Sequence, residues 1–450
     1  MKLSFSDKQF YKQLMNIAVP IAIQNFISST LNMVDTMMIG TLGATEIAAV
    51  GFANQYFFLF MLISFGTYSG ASIFASQFWG KKDVTNVRRV LGLSLIIGLS
   101  IGLLFTLAGL LIPETMISLL SNDLEIINMG SQYLKIVCLG YIASTISFAY
   151  GFSSRSIGNA KLPTLVSAIA LCINTVLNYC LIFGHFGFPS MGVKGAALAT
   201  IIARLVEMLL LLTLIYKNQG PLAGTLHELF DLSRSFVIKI LNVTTPVILN
   251  ETFWALGMTM YLKAYGKLGT EAVAAVQISN TIQNIFLVIT MGLGNACAIM
   301  VGNKIGANQE KEGILYAKRF AKLSIFTGIV MGTLLILTSP FILSFFNPSL
   351  YTNCRNIMIV MALLMPVKMF TSVLIVGIFR SGGDTKFSLI LEIGTVWLIG
   401  VPLAFLSTTY LNLPIHLAFA LVNLEEIIKT MIGLPRFLSN KWLRNVIEDL

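Results

Sequence analysis

Six carboxylates fall inside apolar stretches where a bilayer-spanning helix ordinarily carries none: Asp35, Glu207, Glu251, Glu392, Glu425 and Glu426. A charged side chain at the bilayer centre costs about 2.5–3.5 kcal/mol on insertion scales, so each needs a partner, water or a task. Glu207 follows Arg204 by three residues, and Glu425 and Glu426 precede Lys429 by four and three. These spacings bring opposite charges together on one helix face and give the three a structural reading as ion pairs, with a direct role as the alternative. Asp35 has no cation three or four residues away, and it ends a polar stripe of Gln24, Ser28, Asn32 and Asp35 at helical spacing. Such a face must line water or another polar helix. Asn174 and Asn178 lie one turn apart and offer that face a partner, with Thr200 as a further oxygen. A carboxylate among amides and hydroxyls in a dry pocket can hold a proton or a small hard cation such as sodium, and a helix-packing hydrogen-bond network is the plainer alternative.

In the second half of the chain Glu251, Trp254, Met258, Tyr261 and Tyr265 recur every three or four residues. A carboxylate beside aromatic and thioether surface suits a bulky organic cation, although aromatic stripes also serve simple packing. Lys368 and Glu392 lack neighbours of opposite sign on their own helices; they can pair with each other or with Glu251, for structure or for switching.

These residues must be positioned by membrane helices. The chain is 56% hydrophobic and only 11% charged, with a mean hydropathy of +0.82, about half the charge of a soluble domain. A span needs roughly 20 apolar residues. About twelve such stretches can be read, near 14–40, 47–78, 87–112, 127–150, 161–184, 192–216, 236–265, 272–302, 315–341, 354–379, 386–408 and 414–435. The net charge of +10 is a topology signal. With the N-terminus inside, only Lys135, Lys194, Lys263, Lys267 and Arg355 fall outside, Arg204, Lys368 and Lys429 fall within helices, and the other basic residues fall inside. The positive-inside rule then places both termini in the cytoplasm of a multi-pass protein of the cell's inner (plasma) membrane. Nucleic acid is not expected as a partner, and the five cysteines are too scattered for a disulfide framework.

The sequence repeats. The segment from Pro20 aligns without a gap over the segment from Pro246, and RSIGNAK from Arg155 matches RSGGDTK from Arg380. Two six-helix halves entered from the same side follow, an all-α membrane fold of two pseudo-symmetric lobes around a central cleft. The expected division is an N-lobe over 1–217, a cytoplasmic linker over 218–235 and a C-lobe over 236–450.

VDTMMIGTLG, SRSIGNAKLP, NTVLNYCLIFG, GVKGAALAT, NETFWALG and FRSGGDTK, distributed along essentially the whole chain, resemble the MATE (multidrug and toxic compound extrusion) transporters. The resemblance implies secondary active export of amphipathic, often cationic small organic molecules in exchange for protons or sodium, by lobes that alternate in access. It maps the family's N-lobe cation site onto Asp35, Asn174, Asn178 and Thr200, with any sodium held by Asp35, Asn174 and Asn178. It maps the C-lobe acidic position onto Glu251. Some members carry an aspartate where Met369 aligns here, beside Lys368, which puts a C-lobe sodium site in doubt. No cofactor beyond the coupling ion is implied, and a monomer is expected.

A flippase for lipid-linked saccharides or peptidoglycan precursors is the nearest alternative, but its phosphates call for more cleft cations than Lys368 and Arg204. An enzyme is not expected: His185, His227 and His416 are isolated, no H-E-x-x-H or G-x-S-x-G occurs, and GKKD lacks a Walker context. No nucleotide-binding motif is found, so uphill transport must draw on an ion gradient.

Overall fold

A solvent that offers the backbone no hydrogen bonds forces an apolar chain to satisfy them internally, as helix. The computed structural model describes residues 5–344, 350–448 and 450, and all regular structure among them is helical. In order, the helices are α1 (Phe5–Gly40), α2 (Ala44–Gly80), α3 (Val84–Leu111), α4 (Pro113–Ser118), α5 (Leu124–Val137), α6 (Gly140–Ser156), α7 (Lys161–Phe183), α8 (Gly192–Lys217) and α9 (Leu226–Phe230). They continue as α10 (Arg234–Tyr265), α11 (Thr270–Gly306), α12 (Glu310–Leu343), α13 (Tyr351–Ser372), α14 (Thr385–Thr395), α15 (Val401–Phe405), α16 (Ile415–Val422) and α17 (Leu424–Leu438). Among the described residues nine helices are long and apolar enough to cross a membrane. The pair α5–α6, expected as one helix over 127–150, is bent by 51° and makes a tenth candidate if it counts as one span. The two remaining stretches, α10 and α16–α17, are those that carry Glu251 and the Glu425, Glu426, Lys429 group. Leu398, Ile390 and Phe326 are 77%, 69% and 64% exposed, and side chains of this kind belong against lipid.

Chain contacts define two compact units. One comprises Ile23–Ala75 and Asp83–Ile240; we call it the N-terminal unit. Its interior is close-packed because small residues let helices meet: Gly98 leaves room for Tyr68, whose hydroxyl donates to the Thr145 carbonyl at 2.9 Å. Phe60 stacks on Tyr141 with ring centroids 4.8 Å apart. The segment read as a linker, 218–235, contains the short helix α9. Thr225 and Glu228 form a reciprocal cap on α9, and Arg88 of α3 bonds Glu228 at 2.6 Å. Gly92 of α3 lies directly under the Leu229 carbonyl, where a Cβ would collide with the backbone.

The other, C-terminal unit comprises the residues up to Ala22, Ser76–Lys82 and Leu241–Leu450. Its core is rich in methionine, with Met358, Met361, Met365 and Met369 all buried, a thioether packing that adapts to irregular gaps. Among the described residues, three π-helical turns interrupt its helices. α13 runs into a π-helical turn at Val373–Phe379, and this wider i to i+5 turn shifts the register of the residues that follow, beginning with Arg380. A second and third π-helical turn, at Val396–Gly400 and Leu406–Tyr410, flank α15.

Candidate ion-coupling and substrate site

In the N-terminal unit, α1 and α7 bring Asp35 to the pair of asparagines. Asn178 donates from Nδ2 to Asp35 Oδ1 at 2.8 Å. The amide orientation of Asn174 that satisfies both its neighbours has Nδ2 donating to Asp35 Oδ2 at 2.8 Å and Oδ1 accepting from the Thr200 amide at 3.3 Å. Asn174 and Asn178 are 6% and 2% exposed. Both carboxylate oxygens of Asp35 are thus held by amides, and no ion pair to it occurs among the described residues. Asn178 Oδ1 has no hydrogen-bond partner among the described residues. A buried acceptor left open is costly, so an open one beside a carboxylate is a place for a proton-bearing or cationic occupant. Arg204, one turn along α8 from Thr200, is bonded to Glu207 at 3.0 Å.

The rest of the polar stripe divides. Gln24 is fully engaged: Nε2 donates to Ser167 Oγ at 2.9 Å, while Oε1 accepts from Arg155 at 2.8 Å and from Thr164 at 3.3 Å. Ser167 in turn donates to Glu207 at 2.6 Å. Asn32 is exposed and Ser28 half-buried, so the stripe does not converge on Asp35 as a whole.

The C-terminal unit holds the second group of carboxylates, paired differently from either sequence-based option. Glu251 of α10 is bonded to Arg380, which is 2% exposed. Lys368 donates to Gln283 at 3.2 Å rather than to Glu392 or Glu251. Glu392 of α14 accepts from Asn250 Nδ2. Lys429 is shared by Glu425 at 3.4 Å and Glu426 at 3.3 Å, on the helix face expected from their spacing. Glu426 also accepts from Thr371 at 2.6 Å, and Glu425 accepts from the Tyr261 hydroxyl. The stripe read from Glu251 to Tyr265 is turned into the unit: Tyr261 and Tyr265 are buried, and Trp254 and Met258 pack on the same apolar core. The surface that stripe was expected to offer an organic cation is therefore largely used in packing.

Arg380 was assigned from its neighbours to the cytoplasmic face, and the structure buries it against Glu251. Arg155, assigned likewise, reaches Gln24. The repeat itself carried the signal: both arginines open the same motif, and Gln24 and Asn250 occupy matching positions after Pro20 and Pro246.

The profile of the MatE family matches the chain twice, over residues 20–180 and again over 246–406. The chain belongs to the MATE family. The two matches have the register of the internal repeat and together cover most of the sequence. The chain is 26% identical over 421 residues to the probable multidrug resistance protein YoeA of Bacillus subtilis (strain 168), covering 91% of this chain and 89% of that one. It is 25% identical to the probable multidrug resistance protein NorM of Thermotoga maritima, covering 97% and 94%. Among solved structures, a MATE protein in its bent conformation superposes with a TM-score of 0.87 at 20% identity, over 98% of this chain and 99% of that one. A MATE multidrug transporter in an outward-facing conformation superposes with a TM-score of 0.84 over 98% and 100%. Like these MATE structures, the chain is an all-α, multi-pass membrane protein of two six-helix lobes. At the α13 position where some MATE proteins carry an aspartate, Met369 is fully buried and its neighbour Lys368 is bonded to an amide, so this chain has no carboxylate there.

Proposed function

We propose that this MATE protein exports small amphipathic, often cationic organic molecules across the cell membrane, exchanging them for protons or sodium at Asp35. The observation that carries this reading is the Asp35 centre: a carboxylate held by Asn174 and Asn178, without a paired cation, beside the open acceptor Asn178 Oδ1. A proton on Asp35 finds an acceptor in that oxygen. A sodium ion finds there a carboxylate and one open amide oxygen, donors of the kind hard cations take. Either occupant cancels a charge that is expensive in the unit's interior and so biases which conformation is stable.

One proton moving through 100 mV contributes about 2.3 kcal/mol and a unit of pH about 1.4 kcal/mol, enough together for an uphill ratio of a few hundred-fold for a neutral substrate. Efflux of a fluorescent organic cation from proteoliposomes, with proton and sodium gradients imposed separately, tests the reading. Export driven by one gradient and lost in Asp35→Asn supports it. Gradient-independent movement, or undiminished uphill export by the variant, rejects Asp35 as the coupling group.

A further inference from the structure

The hydrogen bond between Gln24 and Ser167 has a counterpart 226 and 225 residues later, between Asn250 and Glu392. In the N-terminal unit the pair is chemically inert. Gln24 is satisfied at both ends of its amide, and Ser167 has no charge to change. In the C-terminal unit two differences alter it. The serine is replaced by a glutamate, and the arginine of the repeated motif, Arg380, is bonded to Glu251 instead of to the amide oxygen. Asn250, 2% exposed, is left with Nδ2 on Glu392 and with Oδ1 buried and unpartnered among the described residues.

We infer that Glu392 and Asn250 form a second proton-binding centre, in the C-terminal unit and separate from Asp35. The inference rests on the reading of the chain as an ion-driven exporter and adds a second coupling residue to it. Ionised Glu392 accepts from Asn250 Nδ2, as seen. Protonated Glu392 becomes a donor, and the acceptor it needs is the orphaned Oδ1 of the same amide, so a modest rotation satisfies either state. Asp35 and Asn178 show the same arrangement: an asparagine nitrogen on the carboxylate and its oxygen unpartnered.

The surrounding charges select a proton over a metal ion. Arg380 is committed to Glu251, Lys429 to Glu425 and Glu426, and Lys368 to Gln283. The groups that act electrostatically on Glu392 are Lys429 of α17, Glu251 of α10 and Arg380. Counted over this group, Glu251, Glu392, Glu425 and Glu426 are four carboxylates facing the three cations Arg380, Lys368 and Lys429. One proton makes the group neutral, and Glu392 is the carboxylate without a bonded cation among the described residues. A sodium ion would add its charge beside Lys429 and Arg380, the two cations that already act on Glu392.

The test is infrared difference spectroscopy of the purified full-length protein between alkaline and acidic media, which reads carboxylic-acid formation without any substrate. The wild type is expected to gain a buried carboxylic-acid band that is lost in Glu392→Gln, displaced in Glu392→Asp and retained in Asp35→Asn. Asn250→Val, which leaves Glu392 in place but removes both partners, is expected to shift the same band and serves if Glu392→Gln does not fold. Identical spectra for wild type and Glu392→Gln, or a band untouched by Asn250→Val, would overturn the inference. Ethidium efflux from proteoliposomes of the same preparations separates the two readings. A Glu392 band in a protein that moves no ethidium against a gradient counts against export, and gradient-driven efflux with no Glu392 band counts against this centre.

Discussion

Arg380 is bonded to Glu251 across the interior of the C-terminal unit, whereas its counterpart in the repeated motif, Arg155, is bonded to the neutral amide of Gln24. One repeated arginine therefore bonds a carboxylate and the other an amide. Removing the guanidinium from the first pair leaves a buried charge uncompensated, which typically costs 3–5 kcal/mol. Arg380→Gln is expected to destabilise the protein by about that amount, and the double variant with Glu251→Gln to recover a large part of it. Thermal unfolding in detergent across the double-mutant cycle measures both. Additive effects would show that the two side chains do not interact.

Glu251→Gln alone has a functional consequence. It removes one negative charge from beside Arg380 inside the unit, and the added positive potential repels organic cations while leaving neutral compounds alone. Export of cationic dyes should fall more than export of neutral ones, by about tenfold or more if the difference reaches 1.4 kcal/mol. Comparison of initial efflux rates for a matched cationic and neutral pair decides it, and equal losses would point to a purely structural role.

The linker makes a prediction outside the membrane. Gly92 lies against the Leu229 carbonyl, so Gly92→Val forces α9 away from α3 at an overpacking cost of about 1–3 kcal/mol. Limited proteolysis between residues 221 and 233 should accelerate in the variant, with the helices on either side unaffected. The Thr225 backbone N–H, and after it the Thr225 hydroxyl and Arg88, hold the Glu228 carboxyl below its usual range. A depressed folded value contributes stability above the ordinary carboxylate pKa, about 4.3, that is lost as the pH falls through the lower folded value. Proteolytic protection of the wild-type linker should accordingly be flat near neutrality and weaken only in strong acid.

Topology is open to direct measurement. Single cysteines near Asn122 and Pro414 should react with a membrane-impermeant thiol reagent added outside, and cysteines at Lys82 and Lys311 should not, in a background lacking the native cysteines. The reverse pattern would invert the assignment of both termini to the cytoplasm.

Much of this protein is determined by short-range regularities that survive in one dimension. An apolar stretch of span length must become a helix, because lipid offers its backbone nothing else. Residues three or four apart on such a helix must share a face, so Lys429 with Glu425 and Glu426, Arg204 with Glu207, and the joint approach of Asn174 and Asn178 to one carboxylate were legible. The repeat likewise required two related halves. Pairing between helices was not legible, because it depends on how each helix is rotated about its axis. The π-helical turn at Val373–Phe379 changes that rotation just before Arg380, and tertiary packing then decides that Arg380 meets Glu251, that Lys368 meets Gln283, and that Glu392 is bonded to the Asn250 amide. Helical period fixes which side chains face the same way, and only the packed neighbours decide what they face.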